Sequence, residues 1–324
     1  MANVHPGNHH HHALIGGGGG GVGGGGGGGD GLPPGPTHPL AALFYAALVG
    51  GPVAVHAPAK SSLLEWLSSL PHLTTIDIQR TNVEVHELEC LSAITGLGHL
   101  GVGDLTLESP LRMEPLCSVT KLVTHNCDGA RLLPQVFPQL RGLSCDACDE
   151  TLADLAPLTG LHHLLLWQQP SPLTPLTDAG LCSLAGMAGL QELRLEGATG
   201  LSDAGWSSFA SSHAHLTRLH LTGVAGVSSA AIGVAAASTP ALQAVLLSSM
   251  PVDAAGLASL LALCPSLSSI ELEDCDHLSQ ADVRTAMAEM PRALGVGVGV
   301  GGDLTVVCRK GGAFKKLHWP PVAT

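Results

Sequence analysis

The 324-residue sequence contains few aromatic and few charged residues. Aromatic side chains make up 3% of the chain and charged side chains 12%, whereas hydrophobic residues reach 45%. A hydrophobic core must therefore be built from Leu, Val, Ala and Ile and not from aromatic rings. This composition is more typical of a repetitive scaffold than of a catalytic pocket.

Basic residues are also scarce, since 14 Lys and Arg stand against 26 Asp and Glu and give a net charge of −12. This balance disfavours nucleic-acid binding, because contacts to phosphate groups need clustered Lys and Arg. The one basic cluster, Arg309-Lys310 with Lys315-Lys316, is short, and we interpret it as a solvated tail. We therefore predict no nucleic-acid partner.

A long hydrophobic run and a signal peptide are absent too. The longest apolar segment, LAALFYAALV at 40–49, is too short to cross a bilayer. The N-terminus has neither a basic region nor a long apolar region. We expect no membrane association and a cytoplasmic or nuclear protein, in which the nine Cys are reduced.

Motifs of catalysis are missing as well. The sequence contains no GxSxG and no HExxH segment. The GVGVGG segment at 297–302 is followed by DLTVV, which is typical of a strand, whereas a dinucleotide site requires a helix there. We predict that the protein is not an enzyme and that it needs no cofactor.

The composition divides the chain into a tail, a body and two end segments. Residues 1–39 are rich in His, Gly and Pro and are expected to be disordered, because polyglycine has no side chains to bury. Residues 40–72 are predicted to form an N-terminal cap, in which SSLLEWLSSL at 61–70 has the leucine spacing of a short helix. Residues 294–324 are predicted to form a C-terminal cap strand, at 304–308, and a tail.

One pattern recurs through the body at 73–293. It is LxxLxL, with an apolar residue in the first, fourth and sixth places, as in Leu190, Leu193 and Leu195. Nine units start at residues 73, 97, 119, 140, 161, 190, 216, 242 and 267. Recurrence at this period predicts a solenoid, in which neighbouring units bury their leucines in one shared core.

The early units are less regular than the later ones. Val102, Leu105 and Leu107 offer a competing frame, which we reject because it leaves only 17 residues before the next unit. The steps between 97 and 161 are 21 and 22 residues long, which predicts a thinner convex side there.

The later units resemble leucine-rich repeats, and they are similar to the cysteine-containing subtype of ribonuclease-inhibitor-like arrays and of F-box adaptors of ubiquitin ligases. The resemblance is carried by LTDAGLCSLAGMAGLQELRLEGA, LSDAGWSSFASSHAHLTRLHLTGV and VDAAGLASLLALCPSLSSIELEDC. It implies an α/β solenoid of about nine repeats, with a curved parallel sheet on the concave side and helices on the convex side. It also implies a protein-binding scaffold, with the Skp and cullin subunits of a ligase as partners, although residues 40–70 contain no recognisable F-box.

The helices of the repeats have recognisable start positions. Thr177, Ser202 and Ser279 stand where N-cap residues belong, directly before segments with helical spacing. Ser279 and Asp282 have the spacing of a capping box.

Function is expected on the side of the sheet that faces away from the core, where the third, fifth and seventh places of each unit lie. Exposed aromatic and Arg side chains are typical interface anchors, so we predict a partner-binding site around Trp167 and Arg194. Its residues are His125, His163, Leu165, Trp167, Glu192, Arg194, Arg218 and His220. In a second interpretation, Trp167 only packs against the loop at 168–180.

An alternative function uses metal or redox chemistry at Cys127, Cys145 and Cys148 together with the tail residues His9–His12. The repeat explains the same cysteines structurally. Cys145 takes the sixth, inward place of its unit, and the other two take the ninth. In the resembling family the ninth place holds Asn or Cys, which hydrogen-bonds turn backbone. We favour the structural role and predict no metal site.

Overall fold

The structure, a computed structural model, describes residues 64, 67–79, 81–109, 111–168, 175–293, 304–310 and 313–319. The tail expected at 1–39 and the GVGVGG segment lie outside these residues. Of the helix predicted at 61–70, residues 64 and 67–70 are described; Leu64, Leu67 and Ser68 are helical, whereas Ser69 is in a turn and Leu70 is outside the helix.

Within the described residues, fourteen strands belong to two sheets. They are β1 (Thr75–Ile78), β2 (Val83–Glu84), β3 (His99–Val102), β4 (Leu105–Thr106), β5 (Lys121–Val123), β6 (Cys127–Asp128), β7 (Gly142–Asp146), β8 (His163–Trp167), β9 (Glu192–Glu196), β10 (Arg218–Thr222), β11 (Ala244–Ser248), β12 (Ser269–Glu273), β13 (Leu304–Lys310) and β14 (Ala313–Trp319). The large sheet has the order β1-β3-β5-β7-β8-β9-β10-β11-β12-β13-β14. Its neighbours are parallel as far as β13, and β14 is antiparallel to β13.

Each of the nine predicted units contributes one strand to this sheet, and equivalent places pair across it. Leu193, in the fourth place of its unit, is in register with Leu164 on one side and Leu219 on the other. Parallel strands that pair strictly in sequence order and recur every 21 to 29 residues are the architecture of a leucine-rich-repeat solenoid. The predicted fold class is therefore confirmed.

Strands β1 and β8 to β12 alternate between buried and more exposed side chains, as a period of two requires. In β9, Leu193 and Leu195 are fully buried, whereas Glu192, Arg194 and Glu196 are partly exposed. The third, fifth and seventh places of successive units consequently share one side of the sheet, which we call the concave face. The fourth and sixth places line a single core that continues along the stack.

The convex side is formed by helices that are shorter in the early units than in the later ones. They are α1 (Val85–Leu88), α2 (Leu133–Val136), α3 (Asp149–Leu155), α4 (Asp178–Ser183), α5 (Asp203–Ser212), α6 (Ser229–Ser238), α7 (Ala254–Leu263) and α8 (Gln280–Ala293). The first two have four residues each, α5 to α7 have ten each, and α8 has fourteen. In the described part of the chain, no helix combines the length and the apolar character needed to span a membrane.

A second, small sheet accompanies the early units, in the order β2-β4-β6. Leu105 lies in its central strand and is in register with Val83 and Cys127. The frame that we chose for the large sheet is the one observed, because Leu100 pairs with Leu122 there. The competing frame thus reflects the second sheet.

The helix starts are capped as predicted. Thr177 Oγ1 accepts a hydrogen bond from the Ala179 N–H at 3.2 Å, and Ser202 Oγ accepts one from the Gly205 N–H at 3.3 Å. Before α8, Ser279 and Asp282 form both hydrogen bonds of a capping box. These bonds satisfy N–H groups that have no partner within the helix.

A ladder of hydrogen bonds connects successive helix starts. The first residue of one helix is an Asp, and its carboxylate accepts from both the N–H and the hydroxyl of the next N-cap residue. Asp149 accepts from Thr177 at 2.7 and 2.6 Å, and Asp203 accepts from Ser228 at 2.7 Å for both bonds.

Each such Asp and N-cap pair is one rung of the ladder. Asp178 and Ser202 form the rung between the Asp149–Thr177 and Asp203–Ser228 rungs, and Gly205 leaves room for the Asp178 carboxylate. The Ser202 N–H donates to Asp178 at 2.8 Å, and the Ser202 hydroxyl donates to the second carboxylate oxygen. A Cβ at Gly205 would stand 2.0 Å from the Asp178 Oδ1. This contact explains the Asp-Ala-Gly triplet that recurs at the helix starts.

The basic cluster near the C-terminus is not a solvated tail, contrary to our interpretation of the sequence. Arg309 and Lys310 lie in β13, and Lys315 and Lys316 lie in β14. The Arg309 guanidinium forms ion pairs with Glu271, at 3.7 Å, and with Glu273 on the neighbouring strand. Its position on the sheet pairs it with carboxylates that the sequence places more than thirty residues away.

Candidate partner-binding surface

The eight predicted site residues lie on the concave face. Seven of them belong to three neighbouring strands, β8, β9 and β10, and His125 lies two residues after the end of β5. The seven are His163, Leu165, Trp167, Glu192, Arg194, Arg218 and His220. Whether they bind a partner is a prediction that we take up below.

Glu192 is the centre of the ion pairs on this surface. Its Oε2 accepts from Arg218 Nη1 at 3.1 Å and lies 3.2 Å from the His163 Nδ1. The Glu192 side chain is 23% exposed, whereas His163 and Arg218 are about half exposed, at 49% and 54%. The carboxylate is therefore held on both sides by residues of the adjacent strands.

Arg194 in β9 and His220 in β10 are in register, because each occupies the fifth place of its repeat unit. The Arg194 Nε lies 3.4 Å from the Glu196 Oε1 on the same strand. Burial lowers the pKa of His220 below its ordinary value of 6.5, and the positive charge of Arg194 lowers it further. His220 is thus neutral at physiological pH, and its buried Nδ1 has no hydrogen-bond partner among the described residues.

Trp167 is partly exposed and contacts His125. The two ring centroids are 6.1 Å apart, with the planes at 68°, which is an edge-to-face arrangement. The rings meet across β7, since Asp146 is the residue in register with Trp167 on that intervening strand. Of the loop at 168–180 that the alternative contact involves, residues 169–174 lie outside the described residues.

A groove of about 500 Å³ adjoins these residues on the side of the earlier units. Besides His163, Leu165, Glu192 and Arg194, it is lined by Thr120, Lys121, Arg141, Gly142, Leu143, Ser144 and Leu164. Our predicted site omitted Lys121, Arg141 and Gly142. Lys121 and Gly142 occupy third places and were part of the face, but Arg141 occupies a second place, at the edge of the strand, and the repeat pattern assigns no facing to it.

The cysteines of the alternative function have the properties of structural thiols. Cys145 is fully buried, and burial raises the pKa of its thiol well above the ordinary value. Burial likewise raises the pKa of Cys127 to about 12. A thiol that stays protonated is a poor metal ligand and a poor nucleophile. Within the described ranges, no group of three or more His, Cys, Asp or Glu is arranged to hold a metal ion.

Cys148 differs from our expectation for the ninth place. Its Sγ accepts from the Thr151 N–H at 3.5 Å, so this residue caps α3. Cys275, also in a ninth place, behaves as expected, because its Sγ donates to the backbone carbonyl of Leu247 at 3.4 Å. The difference arises because a helix begins directly after Cys148, whereas Cys275 precedes a turn. His9–His12 lie outside the described residues.

A second cavity, of about 530 Å³, lies between the start of α8 and β13. Its charged groups already have partners, since Asp282 accepts from Ser279 and Lys310 is 3.2 Å from Asp276. We therefore assign no site to it.

No protein-family model matches the sequence, and no curated protein is similar to it at a significant level. The chain is similar to solved structures of repeat proteins. An internalin from Listeria monocytogenes is 16% identical with a TM-score of 0.42, over 68% of this chain and 60% of the internalin. A chain of the Rad7 and Elc1 complex in yeast is 15% identical with a TM-score of 0.48, over 77% and 75%. Internalin C2 from the same Listeria strain is 18% identical with a TM-score of 0.39, over 66% and 84%. Similarity of this degree identifies no function.

Proposed function

We propose that this leucine-rich-repeat chain is a non-catalytic scaffold that binds a protein partner on its concave face. The observation that supports this most directly is the cluster of Trp167, Arg194 and Arg218 on three neighbouring strands of a continuous face. Trp and Arg are the residues that contribute most to binding at interfaces. Their strands are fixed by the core beneath them, so little ordering is needed when a partner binds.

The charges of the cluster support binding more than catalysis. Glu192 is engaged by His163 and Arg218, and Arg194 lies against Glu196. A general base or nucleophile needs a group whose pKa or neighbours activate it for proton transfer. Ion pairs between neighbouring strands instead present a fixed pattern of charges to a partner.

As the cellular setting we propose substrate recognition for a cullin-type ubiquitin ligase, in the cytoplasm or the nucleus. Its support is the resemblance of the units from 176 onward to the repeats of F-box adaptors. Because residues 40–70 contain no recognisable F-box, a Skp-type subunit would have to contact another part of the chain. A free-standing adaptor is the simpler form of the same function.

Both the concave-face scaffold and the ligase setting can be tested by affinity purification. The tagged full-length chain is purified from cells of its source organism, and the proteins recovered with it are identified by mass spectrometry. The variant is Trp167→Ala with Arg194→Ala, two partly exposed positions at which we expect the fold to persist. The matched control is Val234→Ala with Arg284→Ala on the convex side, where Val234 is 61% exposed and Arg284 is also exposed. Circular dichroism verifies that all the proteins are folded.

We expect at least one protein to be recovered with the wild type and the control but lost with the Trp167→Ala, Arg194→Ala variant. Identical sets of proteins from all three would contradict binding at this part of the concave face. Recovery of Skp-type and cullin subunits would support the ligase setting. Their absence, together with a variant-sensitive partner, would leave the free-standing adaptor.

A further inference from the structure

The groove beside the predicted site contains a gap that the fold does not require. Gly142 begins β7, between Lys121 on one neighbouring strand and His163 on the other. A Cβ at Gly142 would lie 3.5 Å from the Lys121 Cγ and 3.9 Å from the His163 Cβ, which are ordinary contact distances. A Cβ would therefore fit at this position, and glycine in a strand often marks a place where another chain approaches closely.

The rim of this gap carries positive charge that the protein does not compensate. Lys121 and Arg141 line the groove and are exposed. Among the residues that the structure describes, neither forms an ion pair. The nearest carboxylate in the lining is Glu192, which is already engaged by His163 and Arg218. The chain as a whole has a net charge of −12, so this part of the surface is more basic than the protein as a whole.

The floor of the groove is of a different kind. Leu165, which is partly exposed, provides an apolar side chain in the same groove as the two cations. The groove volume of about 500 Å³ is within the range of ligand-binding clefts. Its charge is complementary to a carboxylate, and its floor is complementary to an apolar side chain beside that carboxylate.

We propose that the groove around Gly142 binds an acidic segment of the protein partner. Lys121 and Arg141 hold a carboxylate of that segment, and a neighbouring apolar side chain of the segment packs on Leu165. This inference rests on the proposed function, because it gives the chemistry of the partner that the concave face binds. It adds Lys121, Arg141 and Gly142 to the residues that we predicted from the sequence.

The inference can be tested by phage display. Random short peptides are selected for binding to the immobilised full-length chain. The best peptide is then synthesised in two forms, one as selected and one with Gln or Asn in place of its Glu and Asp. Both are titrated by fluorescence anisotropy against the wild type and against Lys121→Gln, Arg141→Gln. The matched control, Arg131→Gln, Arg284→Gln, removes the same charge from exposed positions on the convex side. A further variant, Gly142→Leu, fills the groove and leaves its charges in place.

We expect the selected peptides to be enriched in Asp and Glu. Their affinity should fall about tenfold or more in Lys121→Gln, Arg141→Gln, because each lost charge-assisted hydrogen bond corresponds to at least that factor. Gly142→Leu should weaken binding to a similar degree, and the control should not. Raising the salt concentration should also weaken binding, because these charges are exposed.

Three results would overturn the inference: no enrichment of acidic residues, equal affinity for the acidic and the amide peptide, or no peptide retained at all. Peptides that lose affinity in Trp167→Ala, Arg194→Ala but not in Lys121→Gln, Arg141→Gln would also overturn it, while supporting the concave-face scaffold. The purification described above tests the scaffold by itself, so that the two failures can be told apart.

Discussion

An exchange of the two residues in one rung of the ladder would test what holds successive helix starts together. Asp178 begins α4 and accepts both hydrogen bonds from Ser202, which caps α5. Two rungs further on, the arrangement is reversed. Ser229 begins α6 and donates to Asp253, which caps α7, at 2.6 Å. We therefore predict that Asp178→Ser, Ser202→Asp keeps nearly the stability of the wild type, whereas each single substitution is destabilising.

The expected magnitudes follow from the contacts that each substitution removes or creates. Asp178→Ser loses a charged acceptor of two hydrogen bonds, each of which contributes about 1.5–3 kcal/mol when buried, so that partial exposure gives an expected cost of about 2 kcal/mol. Ser202→Asp keeps a good N-cap but brings two carboxylates together, and we expect it to cost about 2 kcal/mol. The double variant should lie within about 1 kcal/mol of the wild type, which makes the coupling about 3 kcal/mol.

Urea unfolding of the four full-length proteins at neutral pH, followed by far-ultraviolet circular dichroism, measures this coupling. Glu150→Ser is the control, because Glu150 is an exposed carboxylate in the first turn of α3 that belongs to no rung. We expect it to change the free energy of unfolding by less than about 1 kcal/mol. A double variant as unstable as the sum of its two single variants would show that the rung does not stabilise the fold as argued.

Two further predictions concern the core. Leu247→Ala is expected to cost about 2–5 kcal/mol, because Leu247 is fully buried, whereas Leu246→Ala, on the concave side of the same strand, should cost less than about 1 kcal/mol. Equal costs in urea unfolding would contradict the assigned facing of β11. Burial lowers the pKa of His213 below its ordinary value of 6.5, so the folded state favours the neutral imidazole. The resulting contribution to folding stability is complete above pH 6.5 and is lost as the pH falls toward the pKa of the folded state. The thermal unfolding temperature should therefore fall between about pH 7 and about pH 5, and fall less in His213→Asn; the same fall in both proteins would argue against this role.

The main features of the fold could be predicted from the sequence because two independent patterns agree in each unit. The LxxLxL spacing places Leu193 and Leu195 on one side of a strand, and its recurrence places equivalent residues in register, as Leu193 and Leu219 are. Even the weakest unit follows the pattern. Thr124 takes its inward sixth place and is fully buried, with its hydroxyl within hydrogen-bond distance of the Gly103 and Asn126 carbonyls.

The small sheet could not be predicted, because strands of two residues are too short to show a period. The apolar pattern at Leu105 was visible, but sequence alone could not assign it to a second sheet. The candidate site has a similar limit. The repeat pattern predicts which side of the sheet each residue faces. It does not predict the contact of His125 with Trp167, because that contact spans an intervening strand. Arg141 occupies the second place of its unit, for which the repeat pattern predicts no direction. Its position in the groove becomes evident only from the structure, in which β7 lies between β5 and β8.

The unequal convex side has a consequence for the shape of the binding face. Strands in a sheet are about 4.8 Å apart, whereas packed helices need about 8–10 Å, so units backed by long helices are wedge-shaped. The units from 190 onward have α-helices of ten or more residues, whereas α1 and α2, the α-helices described before residue 140, have four residues each. We therefore expect the radius of curvature to change along the stack, from a flatter first half to a more tightly bent second half. The groove at Gly142 lies at this transition, where a partner that spans both halves must itself bend.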